Sequence, residues 1–158
     1  MLFQNCKALA LAVVAAAGAT APARADETAP CHGAPTPFKV FVTTQGVRND
    51  HGYLVANLYG SNRRRWLTDN GWLAVWRDPA TPGDETMCIY VPAPGRYALV
   101  MFHDANADGD LNLGPLGPKE GYGFSNNVKP VLSAPSLRSV SFPLAEGVTR
   151  LRIRLRYP

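Results

Sequence analysis

The chain has 158 residues, and its 16 Lys and Arg exceed its 12 Asp and Glu for a formal net charge of +4. That length suits one domain with a real hydrophobic core. Two of the cations, Lys7 and Arg24, fall in the N-terminal leader, so the remainder carries only about +2 and nucleic acid is not an expected partner.

The N-terminus carries the pattern of an export signal. Lys7 precedes an unbroken small-apolar run from Ala8 to Ala17. The run is about half the roughly 20 residues a membrane span needs. Ala23-Arg24-Ala25 then supplies an A-x-A cleavage pattern, with Ala19-Thr20-Ala21 as a second candidate. The expectation is cleavage after Ala25, an address in the periplasm or outside the cell, and no membrane-spanning segment. An uncleaved anchor is the alternative. Cys6 leaves with the leader, whereas Cys31 and Cys88 stay. In an oxidising compartment an isolated pair forms a disulfide. Two free thiols in a metal site are the alternative, though no C-x-x-C spacing supports them.

Residues 26–36 are rich in Pro, Ala and Thr and read as an extended lead-in to a domain over 37–158. Fourteen Gly and fourteen Pro recur along the chain, which helices tolerate poorly and short strands between turns accept. Short strand-like runs between turns predict seven strands: Phe38 to Thr43, Gly52 to Tyr59, Trp72 to Trp76, Thr86 to Val91, Arg96 to His103, Ser139 to Leu144 and Thr149 to Tyr157. The expected fold is all-β, a single sandwich of the immunoglobulin or transthyretin-like kind.

Two strands say more. Arg96 to His103 is apolar on both faces, so its second face is either core or lies beneath a long loop. The last strand alternates Leu151, Ile153, Leu155 and Tyr157 with Arg150, Arg152, Arg154 and Arg156. One face is then buried and the other wet. The arginines would form a row able to meet an anionic envelope polymer or lipid headgroups. Solvation, or acids on neighbouring strands, explains them equally.

The segment after the fifth strand holds the strongest chemical signal. Asp104-Ala105-Asn106-Ala107-Asp108-Gly109-Asp110 places side-chain oxygens at alternate positions and glycine at the sixth. Calcium takes six to eight oxygen ligands, and this spacing matches the first half of an EF-hand loop. The second half is missing, because Pro115 stands where the bidentate carboxylate belongs. Further ligands would come from Asp110, Asn112 and Glu120. The alternative is an ion-free turn, which Asp, Asn and Gly favour by themselves. His103 with Asp104 and Glu120 could also form an acid–base or metal-dependent hydrolase site. Ser125 is the nearby hydroxyl, but its surroundings are not a nucleophile elbow. His103 is expected to brace the loop, while His32 and His51 read as surface residues. No catalytic residue is assigned.

His103-Asp104-x-Asn106-x-Asp108-Gly109, followed by Glu120-Gly121-Tyr122-Gly123-Phe124-Ser125-Asn126-Asn127, resembles a bacterial secreted family called domain of unknown function 2141. Pro94-Gly95-Arg96-Tyr97 is similar to that family's strand opening, which transthyretin-like and carboxypeptidase-regulatory-like sandwiches share. The resemblance implies export and a small β-sandwich but no activity. Within the second motif, Gly121 and Gly123 allow close backbone approach. Tyr122 and Phe124 would pack on the two-faced strand, or line a ligand groove together with His103 and Asn126. The favoured expectation is a non-enzymatic envelope module with a calcium-ordered loop. The alternatives are the hydrolase, and anionic glycan or lipid binding through the arginines.

Overall fold

The computed structural model describes residues 30–158 except Leu116 and Leu132. The leader, with Cys6, Lys7 and its cleavage pattern, lies outside the described residues.

All seven expected strands form, in two main sheets packed as a sandwich. The first sheet has the order β1 (Cys31–His32), β5 (Gly83–Val91), β2 (Phe38–Val47) and β11 (Gly147–Arg154). β5 runs antiparallel to β2, and β11 runs parallel to it from Gly147↔Phe38 to Arg154↔Gln45. The second sheet has the order β10 (Phe142–Leu144), β6 (Gly95–Asp104), β3 (Tyr53–Tyr59) and β4 (Ala74–Pro79). β9 (Gly121–Phe124) shares the β10 edge of β6, pairing Val100 to His103 while β10 pairs Gly95 to Tyr97. Two further short strands, β7 (Leu113–Gly114) and β8 (Gly117–Pro118), form a small hairpin in the long loop.

The inward side chains mesh between the sheets. Val40, Val42, Met87, Ile89 and Ile153 from the first sheet share one cluster with Leu54, Leu58, Leu99 and Met101 from the second. Each such burial contributes about 1.5–3 kcal/mol against exposure. The alternation in β11 and the residue after it holds: Ile153 and Leu155 are buried, while Arg150, Arg152 and Arg154 are exposed.

β6 is buried on both faces because a second apolar cluster covers its outer side. There Ala98 and Val100 meet Tyr59, Phe124, Leu137 and Val140, with Trp66, Trp72 and Tyr122 packed alongside. The covering side chains come from Tyr59 at the end of β3, from Trp66 and Trp72 in the connection to β4, and from the segment between β6 and β10. This is the long-loop option for the two-faced strand.

Several boundaries differ from expectation. The lead-in contributes β1, held by the Cys31–Cys88 disulfide, and the free-thiol alternative falls away. The expected strand from Ser139 begins only at Phe142, because Leu137–Val140 forms a helical turn, α1. Local serine bonds favour that turn: Ser136 Oγ accepts from the Ser139 N–H, and Ser141 Oγ donates to the Leu137 carbonyl. β4 starts at Ala74 rather than Trp72, and β2 runs on to Val47 through a bulge between Thr44 and Val47.

Candidate functional site

The acidic loop leaves the end of β6 on the outer side of the second sheet. Asp104 is fully buried, and its two oxygens act as a cap for the loop. Oδ1 accepts the Asp108 N–H at 3.1 Å and Oδ2 the Gly109 N–H at 2.9 Å. Burying this carboxylate is tolerable because it has these charge-assisted bonds. Glu120, also buried, clasps both ends of the loop. Its Oε1 accepts from the Ala105 N–H at 3.1 Å and its Oε2 from the Asn112 N–H at 3.2 Å.

Asp108 sits at the exposed centre. Oδ2 accepts from the side-chain amides of Asn106 at 2.8 Å and Asn112 at 3.0 Å, and Oδ1 from the Asp110 N–H at 2.9 Å. Asn106 also donates to Asn112 Oδ1 at 3.0 Å. Amide dipoles thus supply the positive partial charge that the carboxylates need. The backbone N–H of Asp110, then the Asn112 and Asn106 amides, hold the Asp108 carboxyl below its usual range. Burial pushes the Glu120 carboxyl up, and the nearby charges of Asp104 and Asp108 add to that rise against its two N–H bonds. Gly109 turns at φ +89°, and a Cβ there would lie 2.7 Å from Arg77 Nη2. The Arg77 guanidinium, from β4, therefore rests against the loop.

Asp104, Asn106, Asp108, Asn112 and Glu120 are thus brought into one hydrogen-bonded unit, with Asp110 entering it through its backbone. All six offer the hard oxygen atoms that calcium prefers. Among the described residues, no three His, Cys, Asp or Glu side chains gather into a group that could hold a metal ion. Asp104 and Glu120 already serve backbone amides, so Asn106, Asp108, Asp110 and Asn112 have the more accessible oxygens.

His103 lies on the opposite, inward face of β6. Its Nε2 donates to the His51 carbonyl at 2.8 Å, and its Nδ1 pairs with the Tyr157 hydroxyl at 2.9 Å. The Arg48 guanidinium stacks 4.0 Å above the Tyr157 ring. His103 is therefore a bracing residue at the end of the sandwich and does not line a groove with Tyr122 and Phe124. His32 is half-buried and bonded to Asp78 at 2.9 Å, contrary to its expected isolation.

The Ser125-Asn126-Asn127 run is a structural staple. Ser125 Oγ accepts the Leu99 N–H at 3.0 Å and donates to the Val140 carbonyl. Asn126 donates to the Ser139 and Ser141 carbonyls, which removes it from the expected groove. Arg156 also departs from the expected row. It lies two residues beyond Arg154, the last of β11, its backbone bridges Tyr122, and its Nη2 donates to the Asn127 carbonyl at 3.1 Å.

A groove does exist, on the outer face of the second sheet. It is a broad cleft of about 1430 Å³. Asn57, Tyr59, Val100, Phe102, Tyr122 and Phe124 are among its lining residues. Thr68 to Asn70 and Trp72 stand on one side, and Asp108 to Leu111 of the acidic loop on another. Arg77 also lines it, and Asn57 Oδ1 is buried without a hydrogen-bond partner. Sequence reasoning found Tyr122 and Phe124 but missed Asn57, Trp72 and Arg77. Outward positions of β3 and β4 carry no mark of their own until the sheet order makes them neighbours.

These features define a disulfide-bonded β-sandwich whose acidic loop flanks an aromatic cleft on the outside of one sheet. The chain belongs to a bacterial family: residues 42–152 match the one described as Uncharacterized protein conserved in bacteria (DUF2141). No curated protein and no solved structure matches the chain.

Proposed function

We propose that this protein is a non-enzymatic binding module of the bacterial envelope, with its ligand in the cleft beside the acidic loop and calcium stiffening that loop. The observation that carries the reading is the position of the loop. Asp108, Gly109, Asp110 and Leu111 form part of the cleft lining. Anything that orders the loop therefore shapes the ligand site.

Three facts support a binding role over hydrolysis. His103 has both ring nitrogens engaged and faces away from the cleft. Asp104 and Glu120 are committed to backbone amides. Ser125 is fully buried and bonded to Leu99 and Val140. Export is supported by the disulfide, which persists in an oxidising compartment. Among the described residues no helix is long and apolar enough to cross a membrane. Asp69, Asp108 and Asp110 outnumber Arg77 in the cleft, which suits a neutral or cationic ligand.

The test is thermal unfolding and titration calorimetry of the purified protein with calcium chloride. Calcium at millimolar concentration raises the melting temperature by several degrees, EDTA reverses the rise, and Asp108→Ala abolishes it. A melting temperature indifferent to calcium removes the ion from this reading. Trp72 fluorescence, read in a background with Trp66→Phe and Trp76→Phe, that responds to calcium but no longer does so once Asp108→Ala is added ties the loop to the cleft.

A further inference from the structure

The outer face of the first sheet is a separate surface, remote in the fold from the cleft. Two adjacent strands put cations on it. Arg150, Arg152 and Arg154 alternate outward along β11, and Lys39 stands on β2 opposite Val148. Side chains two residues apart on a strand are separated by about 7 Å, so the arginines form a file about 14 Å long. The cations are partly pre-positioned. Arg150 lies 5.2 Å and Lys39 5.9 Å from the centre of the Phe41 ring, and Lys39 also lies 5.3 Å from that of Tyr90. Such stacking orders long cationic side chains that are otherwise mobile. The pairing register leaves Thr43 and Thr86, bonded to each other, beside Arg152. Acids border this face at two places: Asp84, which accepts from Gln45 at 3.1 Å, and Glu146, which directly precedes β11. Among the described residues, neither Arg152 nor Arg154 has an ion pair.

We propose that this face binds a linear anionic glycan laid along β11, its carboxylate or other acidic groups meeting Arg150, Arg152 and Arg154 in turn. The charges run in single file along one strand, which suits a one-dimensional polymer. A lipid surface calls for apolar side chains inserted beside the cations, and here Val148 is the exposed large apolar residue. Single-stranded nucleic acid calls for open aromatic rings on which bases stack. Phe41 is buried under its cations, and Tyr90 carries Lys39. The guanidinium fork also matches carboxylate geometry better than an ammonium does.

The test is calorimetric titration of the purified protein with a linear oligogalacturonate at low and high sodium chloride. The wild type binds, and added salt weakens it. Arg152→Gln with Arg154→Gln lowers affinity about tenfold or more, while Arg152→Lys with Arg154→Lys, which keeps the charge but not the fork, loses less than the Gln pair and more than nothing. Arg63→Gln with Arg64→Gln, the same loss of net charge at another place, leaves affinity within about twofold. Equal loss in both charge-removing pairs, or no binding by the wild type, overturns the proposal. Tighter binding to phosphatidylglycerol vesicles or to poly(dT) than to the glycan also overturns it, and assigns the face to lipid or nucleic acid. Calcium enters none of these outcomes, so they are independent of the cleft reading.

Discussion

Asn127 Oδ1 accepts the backbone N–H of Arg154 at 2.8 Å. The same side chain returns a bond, its Nδ2 donating to the Arg152 carbonyl at 2.9 Å. One amide thus pairs with the free edge of β11 as a neighbouring strand would, and so closes the first sheet against the segment that edges the second. Asn127 also turns at φ +53°, a conformation that asparagine tolerates better than most residues. Asn127→Ala is expected to cost about 2–3 kcal/mol, two lost bonds plus backbone strain. Asn127→Gly loses the same bonds without the strain and should cost less. Urea unfolding of the two variants separates the contributions, and equal midpoints would show that the turn is unstrained.

Gly123 marks the closest approach of β9 to the end of β11. A Cβ on it would lie 2.6 Å from the Arg154 carbonyl oxygen and 2.7 Å from Ile153 Cγ2. Both neighbours are fixed, one by backbone and the other by the core. Gly123→Ala must push the strands apart, which is expected to cost about 1–3 kcal/mol. It should also loosen the Tyr122–Arg156 backbone bridge, whose two bonds are 3.0 and 2.8 Å. Hydrogen exchange at the Tyr122 and Arg156 amides reports that loss directly. Unchanged protection there would contradict a role in strand approach.

How far the sequence carries the architecture depends on the residue. The alternation in Leu151 to Arg154 is a period-two signal that one strand contains within itself, and the structure bears it out. The acidic loop is equally local, and Asp104 to Asn112 do form one unit. Glu120 joins it, as its place near the loop in the sequence suggested. What escaped sequence reading depends on contacts between distant segments. The outward position of Arg77 becomes informative only once β4 lies beside β3 and Gly109 comes under its guanidinium. His103 adjoins Asp104 in sequence, yet successive residues of a strand point to opposite faces, so the pair is divided between two environments. That alternation argues against a shared His–Asp site. Ser136 and Ser141 delay the start of the expected strand through local bonds that hydropathy does not register.

The disulfide is the main tie on the two-residue strand β1, since its other bonds are few. It closes a loop across a sequence separation of 57 residues. Constraint of the unfolded chain by such a loop is worth about 4 kcal/mol as an upper estimate. Cys31→Ser with Cys88→Ser is expected to lower unfolding stability by about 2–4 kcal/mol. Dithiothreitol should bring the native protein to the same urea midpoint. The His32–Asp78 contact should then release, because it joins β1 to β4 through the strand the disulfide anchors. Loss of the Asp78-dependent shift in the His32 imidazole resonance would show it. A reduced protein that unfolds at the oxidised midpoint would mean that β1 contributes nothing.

Glu120 gives the loop a pH dependence of definite sign. Burial, with the charges of Asp104 and Asp108 behind it, raises its carboxyl above the ordinary 4.5. The folded protein therefore binds this proton more readily than the unfolded chain. The resulting stability is present below the unfolded value and is lost as pH rises through the raised folded one. Glu85, raised first by burial as well, contributes with the same sign. Asp108 acts oppositely: its lowered carboxyl contributes stability above the ordinary 3.8 that is lost as pH falls through the depressed value. Glu120→Gln should lower the baseline by about 1–2 kcal/mol, because an amide can accept from the Ala105 or the Asn112 N–H but not from both through two oxygens. More tellingly, it should flatten the change in melting temperature as pH is lowered from neutral toward the ordinary carboxylate value, leaving the share due to Glu85. Calcium at the loop would compete with the Glu120 proton, so any calcium-induced rise in melting temperature should shrink toward the acidic end. A slope that survives Glu120→Gln unchanged would place the titration elsewhere, and a calcium effect indifferent to pH would separate the ion from Glu120.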